Sequence, residues 1–465
     1  MTNTPETPAR TLRVAVVGSG PAGVYTADAL LKSGQDVSVD IIERLPAPFG
    51  LIRYGVAPDH PRIKGIIKSL HRVMDKPEIR LLGNIDVGND VSVDELAQHY
   101  DAVVFATGAV GDRDLNIPGS ELKGHYGAGE FVGFYDSSPE FSRDWDLSAE
   151  SVAVVGVGNV GLDVARMLAK TADELKVTEI SDNVYEGLAQ NAAKDVHVFG
   201  RRGPAQAKFT PMELKELDHS PTIEVVVNPE DIDYDAASEE ERRSSKIVDQ
   251  VCTIIENYAI REPKGAPHKL HLHFFENPVE LIGEEGRVVA IRTERTELDG
   301  NGNVVGTGKF TDWPVGAVYR AVGYRSDAID SVPFSDQTHT IPNEGGRVLR
   351  EDDSAITGLY ATGWIRRGPV GLIGNTKGDA NEVVGNLVKD FQGGVLPAPA
   401  EGKGDNDAVI SFLEDKGIEY TTWEGWYRLD AHERELGEAE GRERKKVVEW
   451  ADMVKHSNDE ARVTV

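Results

Sequence analysis

The 465 residues include a single cysteine, Cys252. One thiol excludes an internal disulfide, a Cys-x-x-Cys redox pair and an iron–sulfur cluster held by this chain's cysteines alone. Cys252 lies in the apolar run 247–255 and reads as a small buried hydrophobe. Positive charge is also scarce: 50 Lys and Arg stand against 78 Asp and Glu, a formal net charge of −28. That balance argues against a nucleic-acid surface, where clustered cations must release counterions, and it repels strongly acidic partners at long range. No apolar run approaches the roughly 20 residues that cross a bilayer. Residues 1–10 contain Glu6, two prolines and no apolar segment. They do not read as a secretory signal, and they are too short and arginine-poor for a transit peptide. The expected location is cytoplasmic. Hydrophobic residues at 40% and charged residues at 28% suit a soluble globular protein of two or three domains.

Glycine is abundant, and its placement is informative. The β-branched run 13–17 ends in Gly18-x-Gly20-x-x-Gly23 and continues into a helical pattern over 24–32. In that setting the first glycine makes the tight turn, the second admits a pyrophosphate to the backbone, and the third lets helix and strand pack closely. The first-turn N–H groups and the helix dipole then favour phosphate. A second strand, 37–42, leads to Glu43, where an acidic side chain takes ribose hydroxyls.

The same pattern recurs. A strand at 151–155 runs into Gly156-x-Gly158-x-x-Gly161 and a helix over 162–170. The strand after it, 195–199, ends in Gly200-Arg201-Arg202-Gly203, with two arginines where the first unit has a carboxylate. A guanidinium fork matches a 2′-phosphate that a carboxylate would repel, so this site favours NADP over NAD. Two further strands, 101–108 and 358–363, both end in Ala-Thr-Gly, small residues that let a cofactor lie against the backbone.

Around these units, residues 46–61 hold four prolines and two glycines, which argue against a regular element. Their apolar content favours an ordered, buried loop. Residues 62–74 form a helical pattern with Lys64, Lys68 and Arg72 at i, i+4 and i+8, either an ordinary solvated face or a basic docking stripe. At 209–217 Thr210 reads as an N-cap and Pro211 as the first helical residue. Residues 230–243 look like an exposed acidic excursion, 246–260 an amphipathic helix, and 288–310 a hairpin about Asp299-Gly-Asn-Gly. The glycine-rich segment 364–380 is expected to precede a helix over 381–390, capped by Asp379 or Asn381. A Pro/Gly-rich linker, 392–406, leads to two helices over 407–465 with Trp423 and Trp426 as core.

The motifs VGSGPAG, PxPFGLIRYGVAPDHP, VVGVGNVGLDVAR, FGRRGPxQAxFTPMEL and GWIRRGPVGLIGNTKGDA resemble the ferredoxin–NADP⁺ reductases of the adrenodoxin reductase type, over residues 12–395. The resemblance implies an α/β two-dinucleotide-binding-domain flavoprotein with one Rossmann-like domain inserted in the other. FAD-binding residues 11–110 and 325–395 would flank an NADP-binding domain, 111–324, with a helical tail, 396–465, packed on the FAD domain. It implies FAD, NADP(H) and a ferredoxin-type iron–sulfur partner. By position, Ala22, Glu43, Leu51, Val87, Trp364, Gly371, Leu372 and Ile373 would contact FAD. Asn159, Val160, Arg201, Arg202 and Glu213 would contact NADP(H), with Gly371 also near the nicotinamide.

His60 and Glu216 fall where the family has a charged pair beside the flavin, the candidate catalytic residues. His60 either tunes the site's charge or caps loop carbonyls; Trp364 is either a flavin-side wall or core. The N–H groups of Gly371, Leu372 and Ile373, with a helix start at Asn381, are the candidates for stabilising the reduced flavin. The implied reaction is hydride transfer from NADPH to FAD followed by single-electron transfers, the cofactor carrying the chemistry. An NADPH-dependent flavin monooxygenase, oxidase or diaphorase of the same fold is the competing reading. The strong negative charge puts docking to an acidic carrier in doubt unless a basic patch survives, such as Arg242, Arg243 and Lys246 or the Lys64 stripe.

Overall fold

The computed structural model describes residues 10–371 and 373–459. Two sheets dominate. The first has seven strands in the order Asn343–Glu344, Arg347–Leu349, Ala355–Ala361, Ala102–Phe105, Leu12–Val17, Val37–Glu43 and Ile79–Gly83. Leu12–Val17 is buried at every position, as a parallel strand covered on both faces must be. Its neighbours Val37–Glu43 and Ala102–Phe105 run parallel to it in unbroken register. The strand Ala355–Ala361 lies parallel to Ala102–Phe105, so the two Ala-Thr-Gly ends sit side by side.

The second sheet has six strands in the order His125–Gly127, Ala317–Arg320, Ser151–Val155, Asp195–Phe199, His268–His273 and Ile223–Val227, all parallel where paired. One of its faces packs against a three-stranded antiparallel sheet, Glu276–Glu284, Arg287–Leu298 and Val304–Pro314, through Phe199, Leu281, Val288 and Ile291. The expected hairpin lies there. Chain segments on both sides of the second sheet supply the first, which is the insertion the sequence implied.

The segment after residue 396 folds into three helices rather than two: Ala408–Asp415, Trp423–Glu438 and Trp450–Asn458. Gly417 and Gly441, at φ +70° and +75°, divide them. Val409 and Leu413 pack on one face of the first sheet, and Trp423, Trp426 and Met453 on the other. Among the described residues no helix is long and apolar enough to cross a membrane.

Two further expectations change. The helix expected from Asn381 runs from Ile373 to Gln392, so Asn381 lies mid-helix and neither it nor Asp379 is a cap. Gly374 and Gly378 made this stretch look like loop, but packing along the helix Pro21–Leu31 outweighs their poor propensity. Asp379 is instead buried, accepting hydrogen bonds from Thr362 Oγ1 at 3.1 Å and Arg367 Nε at 2.7 Å. In the loop 46–61, one turn of helix forms at Leu51–Tyr54, with Phe49 at φ +84° and Gly50 at +48° leading into it.

Candidate functional site

The first glycine loop is built by close backbone approach. Gly18 has φ +108°, and a Cβ there would lie 2.5 Å from Ala106 O; at Gly23 it would lie 1.9 Å from Gly18 O. Only glycine fits either place. Gly20, between them, has nothing within 4 Å of where a Cβ would be. Two glycines are thus required by packing, and the third leaves open space at the start of the helix Pro21–Leu31. Glu43 Oε2 accepts from Ser19 N at 2.8 Å and Ser19 Oγ at 2.6 Å, which draws this carboxylate against the loop. Gly363 presses on the same helix, since a Cβ there would meet Ala22 Cβ at 2.6 Å. Trp364, half-buried, stacks on Tyr324 with ring centroids 6.1 Å apart. Val87 is buried, and Gly371 has φ +88° just before the helix Ile373–Gln392. Leu372 lies outside the described residues.

The second loop repeats the plan. Gly156 has φ +131° with its Cβ position 2.3 Å from Ala321 O, and at Gly161 a Cβ would lie 2.4 Å from Gly156 O. Gly158 again faces open space within 4 Å, at the start of the helix Asn159–Ala169. Both loops therefore present the cradle a dinucleotide pyrophosphate requires. Val160 is half-buried in the helix's first turn, and Asn159 Oδ1 accepts from Thr210 N at 2.9 Å. Arg201 is exposed and Arg202 half-buried, and among the described residues neither guanidinium has a carboxylate partner. Their carbonyls are held by Thr296 Oγ1 at 2.8 Å and Phe275 N at 3.2 Å. The fixed backbone leaves both side chains free to meet an anion.

Between the cradles, His60 is 2% exposed and sits among charged side chains from both units. Its Nε2 lies 2.8 Å from Glu213 Oε2 and 3.1 Å from Asp163 Oδ1, and its Nδ1 lies 2.7 Å from Glu216 Oε2. Arg166, fully buried, grips Asp59 through two contacts of 2.9 Å, reaches Asp163 at 2.9 Å, and brings Nη2 to 2.7 Å from His60 Nε2. Lys170 reaches Asp59 at 2.8 Å. Burial opposes the charge on His60, but hydrogen bonds to Asp163 and Glu213 outweigh it and raise the imidazole to about 10. Burial raises Glu216, and the Arg166 and Lys170 cations overcome it at Asp59, which is held far below the usual carboxylate range. His60 therefore caps no carbonyl; its ring lies among carboxylates, with Arg166 Nη2 against its Nε2.

Sequence reasoning expected His60 and Glu216 together, and they meet. It expected Glu213 at the coenzyme; this carboxylate is 3% exposed, with Oε2 2.8 Å from His60 Nε2. It missed Asp59, Asp163, Arg166 and Lys170. The signal was present: Arg166 interrupts an otherwise apolar helix three residues after Asp163.

The basic patches also differ from expectation. The helix expected over 62–74 breaks at Gly65 into Pro61–Lys64 and Ile67–Met74. Lys64 turns inward, to Asp136 at 3.2 Å and to Glu179, leaving only Lys68 and Arg72 exposed. Arg242 pairs with Glu256 at 2.7 Å and Asp249 at 3.2 Å, and Arg243 with Glu240 at 3.1 Å, so both arginines of that patch are neutralised locally and Lys246 stays exposed.

This geometry can be set beside known proteins. The pyridine nucleotide-disulphide oxidoreductase family matches residues 12–198. NADPH-ferredoxin reductase FprA of Mycobacterium tuberculosis H37Rv is 39% identical over 454 residues, covering 95% of this chain and 98% of that protein. The chain belongs to this reductase family. The mitochondrial NADPH:adrenodoxin oxidoreductase of Bos taurus, 37% identical, is covered to 92% by 96% of this chain. The solved structure of the M. tuberculosis protein in complex with NADPH superposes with a TM-score of 0.89 at 38% identity, covering 96% of this chain and all of that one. The family's fold of two dinucleotide-binding units is the one described above.

Proposed function

We propose that the chain is an FAD-dependent reductase moving electrons between NADPH and a ferredoxin-type iron–sulfur protein. The observation that carries this is the pair of glycine cradles, each open at its middle glycine, with opposite charge at the following strand end. The first, with Glu43, suits the ribose of FAD; the second, with Arg201 and Arg202, suits the 2′-phosphate of NADP(H). Bound FAD supplies a hydride acceptor that can pass electrons on singly to the iron–sulfur partner.

The chain's own part is to bind, orient and set charge. Gly18, Gly20, Ala22 and Gly23 hold the FAD pyrophosphate, with Leu51, Val87 and Trp364 along the rest of the cofactor. Gly156, Gly158, Asn159, Val160 and Gly161 hold that of NADP(H). The N–H groups of Gly371 and Ile373, at the start of the long helix, would serve the flavin edge that turns negative on reduction, and the expected contribution of Leu372 falls outside the described residues. The charged pair His60 and Glu216 fixes the electrostatics between the two cofactors, and Glu213, beside His60, would also contact NADP(H). Residues 11–110 and 325–395 form the FAD domain and 111–324 the NADP domain. The described part of the tail, 396–459, packs on the former and also reaches the latter through Arg442 and Lys446, and the protein acts in the cytoplasm.

Anaerobic titration tests this directly. The purified protein is expected to be yellow, to bleach with one equivalent of NADPH, and to recover its colour as a [2Fe–2S] ferredoxin is reduced. Colourless protein that rebinds no flavin overturns the proposal. Flavin that bleaches but passes electrons to no iron–sulfur carrier overturns the ferredoxin part alone.

A further inference from the structure

Outside the cradles and the junction, one cluster of ligating side chains stands out. His197 lies on the strand Asp195–Phe199, and His271 and His273 lie on the adjoining parallel strand His268–His273. His271 is in register with His197 and His273 with Phe199, and residues two apart on a strand share a face. One face of the second sheet therefore carries three imidazoles side by side. A ring nitrogen from each lies within 4.8 Å of the other two, and all three residues are half-buried.

Two contacts bear on metal binding. His197 Nδ1 faces His273 Nε2 at 2.9 Å, so two nitrogens share a single proton at best. Asp195 Oδ1 lies 2.9 Å from His271 Nε2, the arrangement in which a carboxylate fixes an imidazole's orientation and leaves its other nitrogen to ligate. A tetrahedral ion bound at about 2.0–2.1 Å needs ligand nitrogens about 3.3 Å apart; the three rings are stacked at 7–17° with centroids 4.5–5.9 Å apart, so binding requires them to turn until their lone pairs converge. Trp313 of the three-stranded sheet, 4.5 Å from His273 between ring centroids, and Phe199, at 4.9 Å, form an apolar wall.

We propose that His197, His271 and His273 bind a divalent transition-metal ion of borderline softness, Zn²⁺ foremost, with Asp195 orienting His271 and a fourth position left open. An all-imidazole set favours such an ion over Mg²⁺ or Ca²⁺, which take oxygen ligands. The other histidine–carboxylate cluster, His60 with Glu213 and Glu216, does not compete, because Arg166 already occupies it. The site shares no residue with either cradle, although its strand Asp195–Phe199 leads directly into Arg201 and Arg202.

The test uses the flavin-loaded enzyme, freed of metal by a chelator and titrated with Zn²⁺ against a chromophoric chelator. One equivalent is expected to bind with micromolar or tighter affinity. His197→Gln and His273→Gln are expected to weaken it at least tenfold, and Asp195→Asn by about 10–100-fold. Co²⁺ at the site is expected to quench part of the tryptophan emission, a part that Trp313→Phe removes without changing Zn²⁺ affinity. That variant keeps the question open to measurement should a histidine variant fail to fold. No tight equivalent in the wild type overturns the proposal. So does an affinity untouched by both histidine substitutions, or one lost in Glu216→Gln.

Discussion

Two clusters of buried charge cross the junction between the units, and they differ in how many carboxylates each cation has. Around His60, four carboxylates (Asp59, Asp163, Glu213 and Glu216) face two permanent cations, Arg166 and Lys170. Around Lys446, from the tail, Asp136 and Glu179 face Lys64 and Lys446 itself. Lys446 Nζ also donates to the carbonyls of Arg53 at 2.7 Å and Asp136 at 2.9 Å, tying the tail to both units. Burial opposes the charge in both. The surplus of acid lifts His60 to about 10, whereas Lys446, crowded by Lys64 and with no spare carboxylate, is pushed down to about 8. Lys64, against the same two acids, is raised, so each cation's position among the carboxylates, and not burial alone, decides which is favoured.

The largest expected effect comes from emptying the first cluster of its central cation. Arg166→Met leaves four carboxylates to Lys170 and His60, at a cost of about 3–5 kcal/mol in urea unfolding of the holoenzyme. Lys446→Met is expected to cost less, about 2–3 kcal/mol, because Lys64 still serves both acids and the main losses are two charge-assisted bonds to carbonyls. A reversed order would show that the tail contact, not the His60 ring, holds the junction.

The difference between these regions also explains what could be seen in advance. The cradles were legible because their determinants are local: three glycines, one strand and one helix within some 30 residues each. The His60 cluster joins side chains about a hundred residues apart, such as His60 and Asp163, so only the expectation of a charged partner was available. Lys64 sat in a pattern that a solvated helix would also show, and nothing near it announces Asp136 or Glu179. The helix from Ile373 was obscured by Gly374 and Gly378, whose cost is met by packing on Pro21–Leu31. The histidines at 197, 271 and 273 become neighbours only through the pairing of two strands some 70 residues apart.

Arg201 extends the comparison to cations with no carboxylate at all. Arg201 has no carboxylate partner among the described residues; in the proposed reading its guanidinium meets the 2′-phosphate, and a charge-assisted bond of that kind contributes about 1.5–3 kcal/mol. Arg201→Ala is therefore expected to raise KM for NADPH roughly 10–100-fold while changing that for NADH by less than threefold. Steady-state reduction of a dye acceptor with each coenzyme gives both numbers, and equal losses would remove Arg201 from the 2′-phosphate.

The smallest effect isolates the charge count most cleanly. The folded pKa of His60, about 10, lies above its unfolded value of about 6.5, so its contribution is complete below 6.5 and lost as pH rises toward 10. Lys446 has the opposite sign: its folded value, about 8, lies below the unfolded value near 10.5, so stability is gained between 8 and 10.5. Above pH 8 the two oppose each other, and Cys252, raised by burial to about 11, adds a further loss above its ordinary value. Between pH 7 and 8 the His60 loss dominates: burial lowers His71, His99, His125, His197 and His273 and moves their effects below 6.5, and Lys446 begins a smaller gain of opposite sign. Over that unit the wild type is expected to lose up to about 1.4 kcal/mol, one proton's worth. His60→Gln is expected to lose that downward slope and show the small Lys446 gain, while Lys446→Met keeps the loss and steepens it slightly. Chemical unfolding of the three proteins at pH 7 and pH 8 decides it, since a slope that survives in His60→Gln would mean that the ring of carboxylates does not hold the imidazole charged.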